Sequence, residues 1–327
     1  VHYFVTGATG FVGGYVTSQL LAAGHEVTAL VRTREQARDI ALYGVTPHVG
    51  SVTDKEGMRR GVRGVDGVFH VAGHRIAFRD RATMVAVNVD GTRNVLELVK
   101  EHGIPKCVFT STLNALGDTD GEVVDERRAR PATFPTRYDE VRGAAHFDVA
   151  LPMAKGGVPI VTLLPGMVYG PRDSSAMASL LAKSMLGKVW AISASAAYCW
   201  AHVMDVAHAH ILAMQFGRPG EAYIVGGPAH TVRDALGIAV ESAGKRRMPV
   251  PLPPWLVTPA ATIVRGASAV VRSWRPTADR LTVAAGVTYL GTDAKAREEL
   301  GFDPRPLRDG LPDAARALLE EMLAEEG

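Results

Sequence analysis

Three glycines spaced three apart, Gly7, Gly10 and Gly13, sit where the strand-like run His2–Val5 gives way to a helical stretch, Tyr15 to Ala23. A glycine turn between a strand and a helix N-terminus suits the pyrophosphate of a dinucleotide. Gly7 permits the tight turn, Gly10 lets the backbone approach the phosphates, and Gly13 lets the helix pack close to the strand. The first N–H groups of such a helix have no intrahelical partner and carry the positive end of its dipole, which attracts an anion. About twenty residues further on, the position that reads the ribose falls in Leu30-Val31-Arg32-Thr33-Arg34. A carboxylate there would accept a hydrogen bond from the ribose 2′-OH of NAD, and none is present. Arg32, with Arg34 and Arg38 nearby, suits the 2′-phosphate of NADP. NADP is the expected cofactor, with NAD as the alternative.

The elements that position this turn follow from the apolar pattern. Short apolar runs at His2–Val5, Glu26–Val31, Val45–Val49, Gly67–Val71, Lys106–Thr110, Pro159–Leu164 and Ala222–Val225 read as strands. Helical patterns separate them; Val87, Gly91, Val95, Leu98 and Val99 fall on one helix face. Repeated strand–helix–strand units mean a parallel sheet covered on both faces. After about Arg172 the pattern loosens and proline and glycine increase, notably through Met248-Pro-Val-Pro-Leu-Pro-Pro254. The fold class is therefore α/β, a doubly wound parallel sheet with a smaller C-terminal lobe. Residues 1–171 form mainly the dinucleotide-binding domain. Residues 172–327 form mainly a substrate lobe, with a strand near 222–225 returning to the sheet.

Composition narrows the function. The 327 residues are 47% hydrophobic and 21% charged, ordinary for a globular enzyme. A net charge of +2 argues against a nucleic-acid surface. Cys107 and Cys199 make no disulfide framework, and with the first residues read as strand rather than signal peptide, a reduced, cytoplasmic protein is expected. The most apolar stretch, Trp255 to Trp274, is broken by Pro259, Arg265 and Arg272, so stable membrane insertion is not expected. That stretch reads as lobe packing, with a lid, a dimer surface or a membrane-touching helix as alternatives. His202, His208 and His210, or His70 with His74, have no accompanying cysteine or carboxylate cluster, so no metal is expected.

In order and spacing, the motifs resemble those of the extended short-chain dehydrogenase/reductases, nearest the branch of dihydroflavonol reductases and 3β-hydroxysteroid dehydrogenases. The segments that carry the resemblance are Thr6 to Gly13, Val68-Phe-His-Val-Ala-Gly73, Val108-Phe-Thr-Ser-Thr112 with Gly117, Tyr138-Asp-Glu-Val-Arg142, Leu164-Pro-Gly-Met-Val-Tyr-Gly-Pro171, Trp200-Ala-His-Val-Met-Asp205 and Glu221-Ala-Tyr-Ile-Val-Gly-Gly227. They span nearly the whole chain. The resemblance implies a Rossmann-type fold, with Phe11, Val12, Val52, Ala72, Gly73, Pro165 and Val168 joining the glycines and Arg32 around the cofactor. It implies that Tyr138 is the acid/base, that Thr112 orients a carbonyl, and that position 142 contacts the nicotinamide ribose. A homodimer through the helices after the fourth and fifth strands is implied as well.

The residue types suit that chemistry. Hydride transfer to a carbonyl needs a proton donor for the developing alkoxide. A phenol serves where a nearby cation favours its ionised form, and Arg142 shares a helix face with Tyr138 at i, i+4. Three departures from the family pattern matter. Arg142 stands where lysine is usual; it keeps the charge but does not relay a proton. Ser51, in Gly50-Ser51-Val52-Thr53-Asp54, replaces an adenine-contacting aspartate, with Asp54 close by. Ala197-Tyr198-Cys199-Trp200-Ala201-His202 lacks the arginine that holds a sugar-nucleotide diphosphate. Its aromatic and small side chains suit an apolar carbonyl compound or are simply core. The expected function is an NADP-dependent oxidoreductase acting on a small, largely apolar ketone, aldehyde or alcohol. The alternatives are a non-catalytic NADP-binding sensor or interaction protein and a sugar-nucleotide epimerase or dehydratase.

Overall fold

The computed structural model describes residues 1–74, 81–268, 271, 274, 277, 279, 282–283 and 285–326. Its strands, in chain order, are β1 (His2–Thr6), β2 (Glu26–Val31), β3 (Thr46–Val49), β4 (Gly67–His70), β5 (Cys107–Thr110), β6 (Ile160–Pro165), β7 (Met167–Tyr169), β8 (Ala191–Ser193), β9 (Ala197–His202), β10 (Ala222–Val225), β11 (Ala229–Thr231), β12 (Val250–Leu252) and β13 (Thr288–Tyr289). The helices that matter below are α1 (Phe11–Ala22), α2 (Arg34–Ala41), α3 (Lys55–Met58), α4 (Arg81–Val85), α5 (Gly91–Glu101), α6 (Arg137–Ala144), α7 (Leu151–Lys155), α8 (Ala176–Met185), α9 (Val203–Phe216), α10 (Val232–Ser242) and α11 (Pro254–Ser268). Two further helices, Ala294–Leu300 and Leu307–Glu326, close the chain.

Seven strands form one parallel sheet in the order β10-β6-β5-β4-β1-β2-β3. All seven runs expected from the sequence are its strands, within a residue or two. The agreement has a simple cause: a parallel strand buried on both faces must be a continuous apolar run. Phe4, Val5, Val68, Phe69, Val108, Phe109, Val161 and Leu163 are all fully buried in it. The order reverses between β1 and β4, and at such a switch point the strand ends splay to leave a ligand crevice. α1 packs with α9 on one side of the sheet, and α5 with the α6–α7 region on the other.

The helix read from Val87 to Val99 is present but not uniform. A π-helical turn over Ala86–Asp90 joins α4 to α5, and a second, Ala145–Ala150, joins α6 to α7. Gly91, Val95, Leu98 and Val99 are buried as expected.

Beyond β6 a second small sheet has the order β11-β9-β13, with β7 also on β9. Tyr198, Cys199 and Trp200 of β9 are buried in the core of this part. Asp205, at the start of α9, receives the Nε and Nη2 of Arg305 at 2.9 and 2.6 Å, which ties α9 to the loop before the last helix. Arg272 falls outside the described residues. Among the described residues no helix is long and apolar enough to cross a membrane.

Candidate active site

The glycine turn occupies the crevice between β1 and β4. Gly7 has φ +79°, and a Cβ there would come within 2.7 Å of the Ala72 nitrogen that follows β4. A Cβ on Gly13 would lie 2.1 Å from the Gly7 carbonyl oxygen, so only glycine lets α1 pack this close to the turn. Gly10 is the N-cap of α1, in extended conformation and without a side-chain cap; the first turn holds no acidic residue. The N–H groups of Phe11 and Val12 therefore begin a helix whose N-terminus is open to an anion. Tyr15 reaches from α1 to the Pro171 carbonyl at 3.2 Å and joins the turn to the loop after β7.

The remaining nucleotide-side residues lie around this crevice. Arg32 is exposed at the end of β2, and Thr33 caps α2 by accepting from the Gln36 N–H. Val52 is buried against Gly91, where a Cβ would meet it at 2.7 Å, and its carbonyl accepts from Asn94 Nδ2 at 2.9 Å. Ser51 Oγ pairs with Thr53 Oγ1 at 2.8 Å. Asp54, close to Ser51 in the chain, caps α3 through the Gly57 N–H at 2.9 Å. Pro165 is buried at the end of β6, and Val168 lies in β7, paired with Ala201.

Tyr138 and Arg142 both lie in α6. The helix starts with a capping box: Thr136 Oγ1 accepts from the Asp139 N–H, and the Asp139 carboxylate accepts from the Thr136 N–H. Tyr138 is half-buried and packs on the buried pair Met84 and Val141, as Val85 and Val89 also do. Thr112 caps the 3₁₀ turn Leu113–Leu116 at the end of β5, its hydroxyl 3.3 Å from Asn114 Oδ1. Asn114 Nδ2 then donates to Asp139 Oδ1 at 3.0 Å, and Tyr289 of β13 donates to Asp139 Oδ2 at 2.7 Å. Asp139 thus joins the Thr112 turn, the Tyr138 helix and the second sheet. Burial raises its carboxyl above the usual range, and the hydrogen bonds from Tyr289, Asn114 and Thr136 oppose that rise.

Arg142 is buried. Its Nη2 donates to the Thr110 carbonyl at 2.6 Å and its Nη1 to Asn88 Oδ1 at 3.1 Å. Asn88 sits in the π-helical turn and uses its whole amide. Its Oδ1 also accepts from the His74 N–H, while Nδ2 donates to the carbonyls of His74 and Met84. One residue chain continues under the glycine turn. The Ala72 N–H donates to Thr6 Oγ1, which lies 2.8 Å from His70 Nδ1; His70 Nε2 lies 3.0 Å from Thr92 Oγ1, which donates to the Asn88 carbonyl. Because the Thr92 proton goes to Asn88, His70 donates from Nε2, and a neutral ring then accepts at Nδ1 from the Thr6 hydroxyl. Burial first, and the Arg142 charge second, push it down to about 3. Both ring nitrogens are used, which leaves no lone pair for a metal. Among the described residues no three-residue group of metal-binding side chains exists.

Sequence reasoning named Thr112, Tyr138 and Arg142 but not Asn88, Asn114, Asp139 or Tyr289. Thr136 three residues before Asp139 was a legible capping box; the others depend on contacts between distant segments. The stretch Ala197–His202 is β9, and its aromatic side chains are core, so they carry no information about a substrate. It also holds no arginine or lysine for a diphosphate.

Two buried polar atoms beside this site have no partner among the described residues, Ser111 Oγ and Arg142 Nε. Leaving such atoms unpaired costs about 1–3 kcal/mol each, a cost a polar ligand can offset. With the open helix N-terminus and the glycine cradle, these residues fit a dinucleotide. Residues 3–226 match the NAD dependent epimerase/dehydratase family. The chain belongs to that family. It is 30% identical to a Synechocystis protein with the provisional name dihydroflavonol 4-reductase, over 95% of this chain and 93% of that one. It is 29% identical to the 4-hydroxy-2-methyl-3-oxo-4-farnesyl-3,4-dihydroquinoline-1-oxide ketoreductase of Stigmatella aurantiaca, over 96% and 95%. The crystal structure of gox2253 superposes with a TM-score of 0.86 at 30% identity, covering 98% of both chains. The protein is an NAD(P)-dependent oxidoreductase of the extended short-chain dehydrogenase/reductase type, as the motifs implied.

Proposed function

We propose that this chain reduces a largely apolar ketone or aldehyde with NADPH, and runs the reverse oxidation of the matching alcohol. The observation that carries the reading is the bridge Thr112–Asn114–Asp139, which holds two hydroxyl-bearing elements, the Thr112 turn and the Tyr138 helix, at one end of the sheet. Bound NADPH would supply the hydride to the carbonyl carbon. The Tyr138 hydroxyl gives its proton to the oxygen, Thr112 Oγ1 holds that oxygen, and Arg142 stands one helical turn from Tyr138 in α6. The exposed Arg32 at the end of β2, in a turn without a carboxylate at that position, supports NADPH over NADH.

The apolar substrate class is supported by the likeness to a reductase of a farnesylated quinoline and by the absence of an arginine or lysine in β9. The test is a panel of ketones and aldehydes of increasing apolar bulk, followed by nicotinamide absorbance with NADPH and with NADH. Turnover of apolar carbonyls with NADPH supports the reading. Turnover confined to nucleotide sugars contradicts it.

A further inference from the structure

α11 turns large apolar side chains to solvent. Among its described side chains Trp255, Leu256, Thr258, Pro259, Thr262, Ile263 and Gly266 are exposed, whereas Ala261 and Ser268 are buried on the other side. Trp255 is 73% and Ile263 70% exposed. A helix on an ordinary protein surface turns charged and polar residues outward and its apolar stripe inward; here the large apolar side chains point out. The apolar surface extends past the helix. Trp190 is 77% exposed, and its carbonyl accepts from the N–H of Val250, which is also exposed, so the two are neighbours at the β8–β12 pair. Four residues of chain separate Val250 from Trp255, so all of this surface lies within one short reach.

The sequence through this region carries one sign of charge. From Gly244 to Ala278 the sequence has no acidic residue and six basic ones, Lys245, Arg246, Arg247, Arg265, Arg272 and Arg275. Lys245, Arg246 and Arg247 are exposed and immediately precede β12. Lys245 and Arg246 also line a cavity of about 880 Å³ together with Arg233 and Arg308, against which stand Asp234 and Glu241. Asp234 is engaged in the cap of α10, and Glu241 lies 3.9 Å from Arg308.

Aromatic and aliphatic residues facing out, flanked by a basic cluster, fit an anionic bilayer surface. We propose that α11, with Trp190 and Val250, seats on anionic phospholipid, the apolar side chains entering the headgroup boundary and Lys245, Arg246 and Arg247 meeting the lipid phosphates. The attachment lies along the surface, since no described helix can span. It is independent of which carbonyl compound is reduced.

The test is co-sedimentation of the whole protein with vesicles of phosphatidylcholine, with and without phosphatidylglycerol, at low and high salt. Binding is expected to vesicles containing phosphatidylglycerol and to weaken with salt. Replacing Lys245, Arg246 and Arg247 together by alanine should weaken it on the order of 100-fold, because each contributes roughly a fivefold step near an anionic surface. Ile263→Glu and Trp255→Glu should also release the protein, with cofactor binding retained as the check on folding. Brominated lipid should quench the parent's tryptophan fluorescence, and less so in Trp255→Phe. A parent that stays in the supernatant with every vesicle, or that binds equally after these substitutions, overturns the proposal. So does a concentration-dependent dimer that Ile263→Glu dissociates without any vesicle binding, which would assign the face to a second copy.

Discussion

Arg142 Nη1 donates to Asn88 Oδ1 at 3.1 Å, and this contact joins α6 to the π-helical turn before α5. The guanidinium is also held by the Thr110 carbonyl at the end of β5. The cation that stands four residues after Tyr138 is thus fixed by strand, turn and helix together. A planar fork with several donors can serve these acceptors at once, which a compact ammonium cannot do in the same geometry.

That relationship sets a first prediction. Arg142→Met should lose most turnover and lower Tm, because it removes the charge and strands the Thr110 carbonyl, at a cost of about 1–3 kcal/mol for a buried unpaired group. Arg142→Lys should keep turnover, since it retains the cation. Thermal melts and kcat for the three proteins check this; equal kcat in all of them would show that the charge takes no part.

Asn88→Leu should act through the same contact. It removes the acceptor for Arg142 and the His74 N–H, and the donor to two carbonyls. We expect a lower Tm and a lower kcat together, with partial rescue in Asn88→Gln excluded by its longer arm. Crystallography of a folded Asn88→Leu variant with an unmoved Arg142 and parent kcat would contradict the role given to Asn88.

Cofactor choice follows from Arg32. Arg32→Ala should weaken NADPH by about 1.5–3 kcal/mol, the worth of a charge-assisted hydrogen bond, and leave NADH nearly unchanged. Titration calorimetry with both nucleotides is the check, and equal losses for both would move the 2′-phosphate contact elsewhere.

Stability should depend on pH through buried histidines. Burial pushes His210 to about 4, and His70 to about 3. His146 is likewise pushed to about 4, by burial first and Arg142 second. An unfolded histidine takes up a proton near pH ~6.5. Between that value and the folded ones the unfolded chain binds more protons, so stability falls as pH falls. The contribution is intact above pH ~6.5 and lost progressively toward about 4. Tm measured from pH 7 downward should decline through this window, and a flat Tm would show that these rings are not neutral and buried.

The parallel sheet was legible because each buried strand is a compact apolar run, as Val68-Phe69 and Val161 to Leu164 are. The glycine turn was legible because strand, turn and helix follow one another directly. The second sheet was not: β13 is two residues long, and β9 gains its partners β7, β11 and β13 from three separate stretches. Ala197 to His202 could be read as site lining or as core, since an apolar aromatic strand looks the same in both. Asn88 escaped notice because its importance arises only when the β1–β4 register sets Thr6 beside His70 and the π turn aims the amide at Arg142. Asp139 looked like an ordinary helix-start carboxylate, and its bonds to Asn114 and Tyr289 exist only in the folded chain.

The central claim is that the Tyr138 hydroxyl delivers the proton, and Tyr138→Phe tests it most directly. The substitution deletes one oxygen from a half-buried ring and leaves its packing on Met84 and Val141. With saturating NADPH and an apolar ketone, kcat should fall by ~10²–10⁴, the usual contribution of a positioned acid, while the NADPH Kd stays at the parent value. Thr112→Val should fall less. A Tyr138→Phe enzyme that keeps near-parent kcat would contradict the assignment of the acid.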